Sequence, residues 1–137
     1  MLVRHNNLEI TLPETGWSDV TTVAIHGPST GGFNVAIAIC SLASTCSTVA
    51  EVVEKELPKL KKALKPFKSI AQNPSTFGDN TGHVLEFETV VKGAKLRYLQ
   101  FFMLKDGVAY TFAFAHTAAA FEASRASFQE ILKTVKI

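Results

Sequence analysis

Few side chains in this chain sit at spacings that could do chemistry. Glu86 and Glu88 lie two residues apart, so on an extended segment both carboxylates share one face. Paired carboxylates can serve as general acid and base. Here Arg97 lies where it would neutralise Glu88, which favours a structural or docking role. The four histidines, His5, His26, His83 and His116, show no i, i+4 pairing, and neither cysteine stands at ligand spacing from them. A metal or other cofactor is therefore not expected. Cys40 lies among alanines with no basic neighbour to ionise it. Cys46 precedes a helix start, which would lower a thiol pKa, but no acid–base partner accompanies it. The glycine-rich segment Gly27-Pro28-Ser29-Thr30-Gly31-Gly32 lacks the spacing and the lysine of a phosphate loop and reads as a hairpin loop. Lys55, Lys59, Lys62 and Lys65 form a basic helix face, with Glu51 four residues before Lys55, as on an ordinary solvated helix.

The elements that position these residues centre on Gly82 to His116. His83–Val91, Ala94–Leu104 and Val108–His116 read as three strands joined by Lys92-Gly93 and Lys105-Asp106-Gly107. A Lys92-Gly93 loop sets Val91 opposite Ala94, Glu88 opposite Arg97 and Glu86 opposite Leu99. A three-residue second loop sets Leu104 opposite Val108, Phe102 opposite Tyr110 and Tyr98 opposite Phe114. One face would then carry Leu85, Phe87, Leu96, Tyr98, Phe102, Leu104, Val108, Tyr110, Phe112 and Phe114. The other would set Leu99, Phe101 and Met103 beside Thr111 and Ala113, flanked by Ala36 and Ala38. That second face is expected to form a shallow apolar trough, with Glu88 and Arg97 at its edge. Small residues admit a partner's backbone, and methionine adapts to its shape. The competing expectation is that the protein's own helix covers most of the trough.

The remaining elements follow in order. Strands are expected over Asn7–Leu12, Asp19–His26 and Phe33–Ser41, with Trp17 as a plug beside the Pro13-Glu14-Thr15-Gly16 turn. Thr48 and Glu51 fit a capping box opening a helix that runs to about Lys65, with a kink before Pro58. Phe67–Ala71 reads as a short strand and Gln72–Asn80 as a loop. A last helix, capped by Thr117, covers Ala118 to about Val135, with Phe121, Phe128, Ile131 or Leu132, and Val135 as its stripe. Strands that pair locally, followed or interrupted by two helices, give an α+β class with one antiparallel sheet of six to seven strands.

Composition limits the function. The chain has 137 residues, one domain's worth, with 47% hydrophobic and 19% charged residues. A net charge of +2 does not point to nucleic acid. No apolar run reaches the ~18–20 residues of a membrane span, and Met1 to Asn7 lacks a secretory core, so a cytoplasmic protein without stable membrane insertion is expected. Two cysteines in a chain able to build a core do not suggest a disulfide framework.

Several segments carry a family resemblance. Leu12-Pro13 closing the opening strand, then Gly16-Trp17-Ser18-Asp19, resembles the N-terminal signature of the Mog/PsbP-like superfamily. Leu96-Arg97-Tyr98-Leu99-Gln100-Phe101, then Leu104-Lys105-Asp106-Gly107-Val108-Ala109-Tyr110, is similar to its sheet hairpin, and a final helix with Phe121 and Phe128 fits. Length and the missing signal favour the DcrB-like branch that includes the EagR chaperones. The resemblance implies a non-catalytic protein without a cofactor. Its partner would be another protein, bound through an apolar helix, and its form a homodimer. EagR proteins hold hydrophobic helical segments of type VI secretion effectors in a sheet-lined groove. In this chain Ala38, Glu88, Arg97, Leu99, Phe101, Met103, Thr111 and Ala113 would make that contact. The rival expectations are an accessory subunit of a larger assembly and a Mog-like regulator of a Ran-type GTPase. An enzyme would need a pocket with convergent polar groups that the sequence does not show.

Overall fold

A computed structural model describes residues 2–5, 8–11, 22–30 and 33–137. The expected turn at Pro13, the Trp17 plug, most of the N-terminal signature and Gly31-Gly32 lie outside the described residues, while Gly27 to Thr30, expected as loop, belongs to the strand Thr22–Thr30, with a register shift between His26 and Ser29. A two-stranded hairpin, β1 (Leu2–His5) and β2 (Leu8–Thr11), precedes the main sheet. β2 matches the expected opening strand; β1 was not foreseen. Then come β3 (Thr22–Thr30), β4 (Phe33–Ala43), helix α1 (Val49–Ala63), β5 (Lys68–Phe77), β6 (Asn80–Val91), β7 (Ala94–Lys105), β8 (Val108–Thr117) and helix α2 (Phe121–Lys133). The six later strands form one antiparallel sheet in the order β3-β4-β8-β7-β6-β5, and the class is α+β as expected.

The first hairpin has the expected register. Glu88 faces Arg97 and Val91 faces Ala94 across a Lys92-Gly93 turn, with both turn residues at positive φ (50° and 78°). The second hairpin corrects the expectation. Its loop is Asp106-Gly107 alone, at φ 51° and 75°, so Lys105 faces Val108, Met103 faces Tyr110 and Phe101 faces Phe112. A two-residue turn with both residues left-handed follows the right-handed twist of the strands, and Asp-Gly suits it. This one-residue difference exchanges the faces of β8. Tyr110, Phe112 and Phe114 join Leu99, Phe101 and Met103, while Ala109, Thr111, Ala113 and Ala115 join Leu96, Tyr98, Phe102 and Leu104. Ala38 pairs with Ala113 and Cys40 with Thr111, so the small-residue stripe continues onto β4, on the face away from Leu99, Phe101 and Met103. The expected trough is therefore divided between the two sides of the sheet.

Each side has its own helix. α1 lies over β6 and β7, where Val52 and Val53 pack on Leu85, Phe87 and Phe102. Thr48 caps it, accepting the Glu51 N–H at 3.3 Å, and the Glu51 carboxylate accepts the Ser47 N–H at 3.1 Å. Pro58 lies inside the helix. α2 lies over β8 and reaches β5, covering Leu99, Phe101, Met103, Phe112 and Phe114 with Phe121, Phe128 and Leu132. It begins later than expected, at Phe121, and Ala120 rather than Thr117 is its N-cap. Asn80 ties down its far end, donating from Nδ2 to the Leu132 and Val135 carbonyls at 2.9 and 3.0 Å. Leu132 lies in the last turn, where i+4 donors run out, and Val135 lies past the helix end, so the side-chain amide adds a donor there.

The segment read as a loop after Ala71 is the second half of β5, a ten-residue edge strand with a register shift between Ser69 and Ala71. Its polar run Gln72-Asn73-Pro74-Ser75-Thr76 suits an edge, where Pro74 can lack an N–H without breaking a ladder.

Candidate functional site

The sequence-predicted residues fall into three groups. Leu99, Phe101 and Met103 are 2%, 0% and 8% exposed beneath α2 and offer no contact surface. Gly82 helps to seat them: a Cβ there would stand 2.0 Å from the Phe102 carbonyl oxygen and 2.9 Å from the Phe101 ring. Ala38, Thr111 and Ala113 lie half-buried on the opposite side. Their half of that side extends past α1, which rests on β6 and β7.

Glu88 and Arg97 are brought together, as expected, but within a larger ionic cluster at the start of α2. Arg97 donates from Nη2 and Nε to Glu88 Oε1 at 2.6 and 3.1 Å, and Lys95 Nζ stands 3.4 Å from Glu88 Oε2. Arg125 forks onto Glu86 at 2.5 and 3.3 Å and onto Glu122 at 2.7 and 3.0 Å. Arg97 also reaches Glu122 at 3.3 Å. Both guanidinium groups lie over the Phe121 ring, 5.6 and 5.1 Å from its centroid. The sequence reading missed Arg125, although its i, i+3 spacing from Glu122 was legible. Arg125 grips both oxygens of Glu86, the geometry that offsets its desolvation, whereas Arg97 puts both its bonds on Glu88 Oε1 and leaves Oε2 only the Lys95 charge at 3.4 Å. Arg97 holds the Glu88 carboxyl below its ordinary 4.5 against the opposing effect of burial. Arg125 does the same for Glu122, and its own ionisation is pushed up by the two carboxylates. Committed to one another, these groups form a clamp on α2 rather than an acid–base pair.

The open feature lies beside that clamp. α2 leaves a cleft of about 320 Å³ between itself and β3–β4, lined by Ile25, Val35, Ile37, Phe128 and Ile131, with His116, Ser124 and Ser127 on its polar side. Alternation puts Val23, Ile25, Val35, Ile37 and Ile39 on the α2 face, because Ile37 pairs with Phe114 and Ile39 with Phe112. Ile25 is 47% exposed, and Val23 and Ile131 are nearly as open. His116, buried at the cleft's end, accepts the Thr117 N–H on Nδ1 at 2.7 Å. The sequence showed Val35, Ile37 and Ile39 on one face and Phe128 and Ile131 on one helix stripe. What it lacked was where α2 crosses the sheet.

Cys40 and Cys46 are free thiols, and Cys46 packs against the α1 core. Among the described residues no group of three His, Cys, Asp or Glu side chains could hold a metal ion. Among them, no helix is long and apolar enough to cross a membrane.

Comparison with known proteins bears on the fold. The protein of unknown function PA94 from Pseudomonas aeruginosa is similar over 100% of this chain and 96% of its own, with a TM-score of 0.80 at 18% identity. LpqN, involved in cell envelope biogenesis in Mycobacterium tuberculosis, is similar over 98% of this chain and 87% of its own, with a TM-score of 0.58 at 10% identity. CyanoP, the PsbP protein of the cyanobacterium Synechocystis sp. PCC 6803, covers 89% of this chain with 94% of its own, with a TM-score of 0.52 at 10% identity. The six-stranded sheet with its two helices is thus a PsbP-like fold. No curated protein matches the sequence at a significant level. The DcrB family model matches residues 8–134, nearly the whole length, and the chain belongs to the DcrB family.

Proposed function

We propose that this protein is a non-catalytic protein-binding module, an EagR-like adaptor chaperone of the cytoplasm that holds an apolar helical segment of a partner protein. The supporting observation is the cleft between α2 and β3–β4, open to solvent and walled by Ile25, Val35, Ile37, Phe128 and Ile131. At about 320 Å³ it has room for a few aliphatic side chains from one helix face, as in helix-in-groove recognition. Burial of those side chains supplies roughly 25 cal/mol per Å², less the cost of association. Ser124, Ser127 and His116 along one wall would fix the orientation of the bound segment. Glu88 and Arg97 act here by holding the first turn of α2, and therefore the cleft wall, in place. Leu99, Phe101 and Met103 support the cleft from the core without touching the partner.

The test uses a fluorescently labelled, Leu/Ala-rich helical peptide of about 20 residues with lysine ends, read by anisotropy. The double variant Ile25→Glu, Ile131→Glu should bind it at least about tenfold more weakly while the far-UV spectrum stays native. Undiminished binding by the folded double variant would remove the cleft from consideration.

A further inference from the structure

A basic pole lies at one end of the molecule, assembled from elements far apart in sequence. Lys61 and Lys62 occupy the last turn of α1, Lys65 follows it, Lys68 opens β5, and Lys92 and Lys95 flank the β6–β7 turn. Strand pairing brings Lys68, Lys92 and Lys95 to one end of the sheet, Lys68 opposite Glu88 and Lys95 opposite Val90, and Lys61, Lys62 and Lys65 lie within seven residues of Lys68 along the chain. Pro66, Lys68, Glu88, Thr89, Val90 and Lys95 line one depression of about 190 Å³, where Glu88 is paired with Arg97 and Lys95. All six lysines are exposed. The carboxylates at this end, Glu86, Glu88 and Glu122, are held by Arg97, Arg125 and Lys95. Among the described residues Lys61, Lys62, Lys65, Lys68 and Lys92 have no acidic side chain within 4.0 Å. Six clustered lysines in a chain of net charge +2 leave the rest of the molecule negative overall.

The pole also carries exposed apolar side chains. Val90 and Val91, at the tip of the hairpin beside Lys92, are 41% and 38% exposed. Each of these cations is a lysine, a flexible point charge without the planar fork that reads phosphates individually. Among the described residues no exposed aromatic ring accompanies them to stack on bases. Lysines interleaved with small aliphatic side chains match a surface that is anionic above and apolar just beneath. We propose that this pole docks the protein peripherally on an anionic phospholipid bilayer, with the lysines among the headgroups and Val90 and Val91 reaching below them. This inference stands apart from the cleft, which opens elsewhere on the molecule.

The experiment is co-sedimentation of the full chain with vesicles of phosphatidylglycerol and phosphatidylcholine, against phosphatidylcholine alone, at low and high salt. Binding should require phosphatidylglycerol and weaken as salt rises. The variant Lys65→Glu, Lys68→Glu, Lys92→Glu should lose about a hundredfold or more, since each lysine near an anionic surface contributes about fivefold. Lys55→Glu, Lys133→Glu, Lys136→Glu carries the same net charge and should lose far less. Val90→Ser with Val91→Ser should weaken binding with its salt dependence unchanged. Equal losses in the two charge-reversal variants would reduce the effect to net charge and overturn the proposal. So would indifference to phosphatidylglycerol, or retention on single-stranded RNA by a protein that ignores the vesicles. Circular dichroism checks each variant, and Lys92→Glu alone, at the exposed turn, gives a fivefold readout should the triple variant misfold.

Discussion

The two halves of the sheet are both apolar, but they are covered differently. Strands β6 and β7 have a helix on either side, and Leu85, Phe87, Phe101 and Phe102 are fully buried between them. Strands β3 and β4 are apolar too, through valine, isoleucine and alanine rather than phenylalanine and leucine, yet their described side chains are half-buried or exposed. α1 stops short of them on one side, and α2 meets them across the cleft on the other. An apolar side chain alone therefore does not decide what this sheet hides. The placement of two helices does, and it leaves Val23 and Ile25 open on the β3 edge.

The largest expected effect tests the closed half. Phe101→Glu should abolish cooperative folding, because it places a carboxylate where Phe77 and Phe112 now pack against the ring. Even Phe→Ala at such a site costs about 3–5 kcal/mol, and a buried charge adds to that. Loss of the native far-UV spectrum and of a cooperative urea transition is the readout. A folded Phe101→Glu protein would mean that the α2 face is open.

The contrast between halves also separates what the sequence revealed from what it concealed. The β6–β7 register was legible because Lys92-Gly93 fixes the turn and Glu88 and Arg97 confirm it as an opposed charge pair. The β7–β8 register was not, because β7 is apolar on both faces. Leu104 and Met103 fit opposite Val108 or Tyr110 equally well, so hydrophobic alternation could not arbitrate. The deciding cue was Asp106-Gly107, a two-residue turn that releases Lys105 into the strand. On β8, where Tyr110, Phe112 and Phe114 alternate with Thr111, Ala113 and Ala115, that single step exchanged bulky for small. It placed an imagined groove over the core. The cleft itself depends on where α2 crosses the sheet. Asn80 and the arginine clamp set that crossing through contacts 25 to 55 residues apart, which local pattern does not reveal.

The next effect sharpens the comparison at the clamp, which closes one end of α2 while the cleft stays open. Arg125→Ala leaves Glu86 buried without its fork and should cost about 3 kcal/mol in urea unfolding. Replacing both partners, as Glu86→Gln with Arg125→Gln, should recover part of that loss, because no uncompensated charge remains. An Arg125→Ala protein as stable as the parent would show that Glu86 is solvated and the clamp ornamental.

Acid should loosen the same end. The Glu88 carboxyl is held below 4.5 in the fold, chiefly by Arg97. A group with a depressed folded pKa contributes stability above its unfolded value and loses it as pH falls through the folded one. Stability should therefore be level between pH 7 and about 5 and fall below about pH 4.5, more shallowly in Glu88→Gln. Glu122, held down by Arg125, adds to the slope in the same direction. A slope unchanged in Glu88→Gln would assign the acid sensitivity to other carboxylates.

The smallest expected effect is the most informative about the open half. Ile25 is an isoleucine on an edge strand, facing the cleft with nearly half its surface in water. Threonine keeps its β-branched shape and strand preference while removing apolar area. Ile25→Thr should change stability by no more than about 0.5 kcal/mol, the range for exposed positions. An isoleucine that stabilised the fold as Phe101 does would show a far larger loss, and the cleft would then be a shallow part of the core. If stability is unchanged and peptide affinity falls, Ile25 is kept apolar for a partner, and the two halves of the sheet differ in purpose as well as in cover.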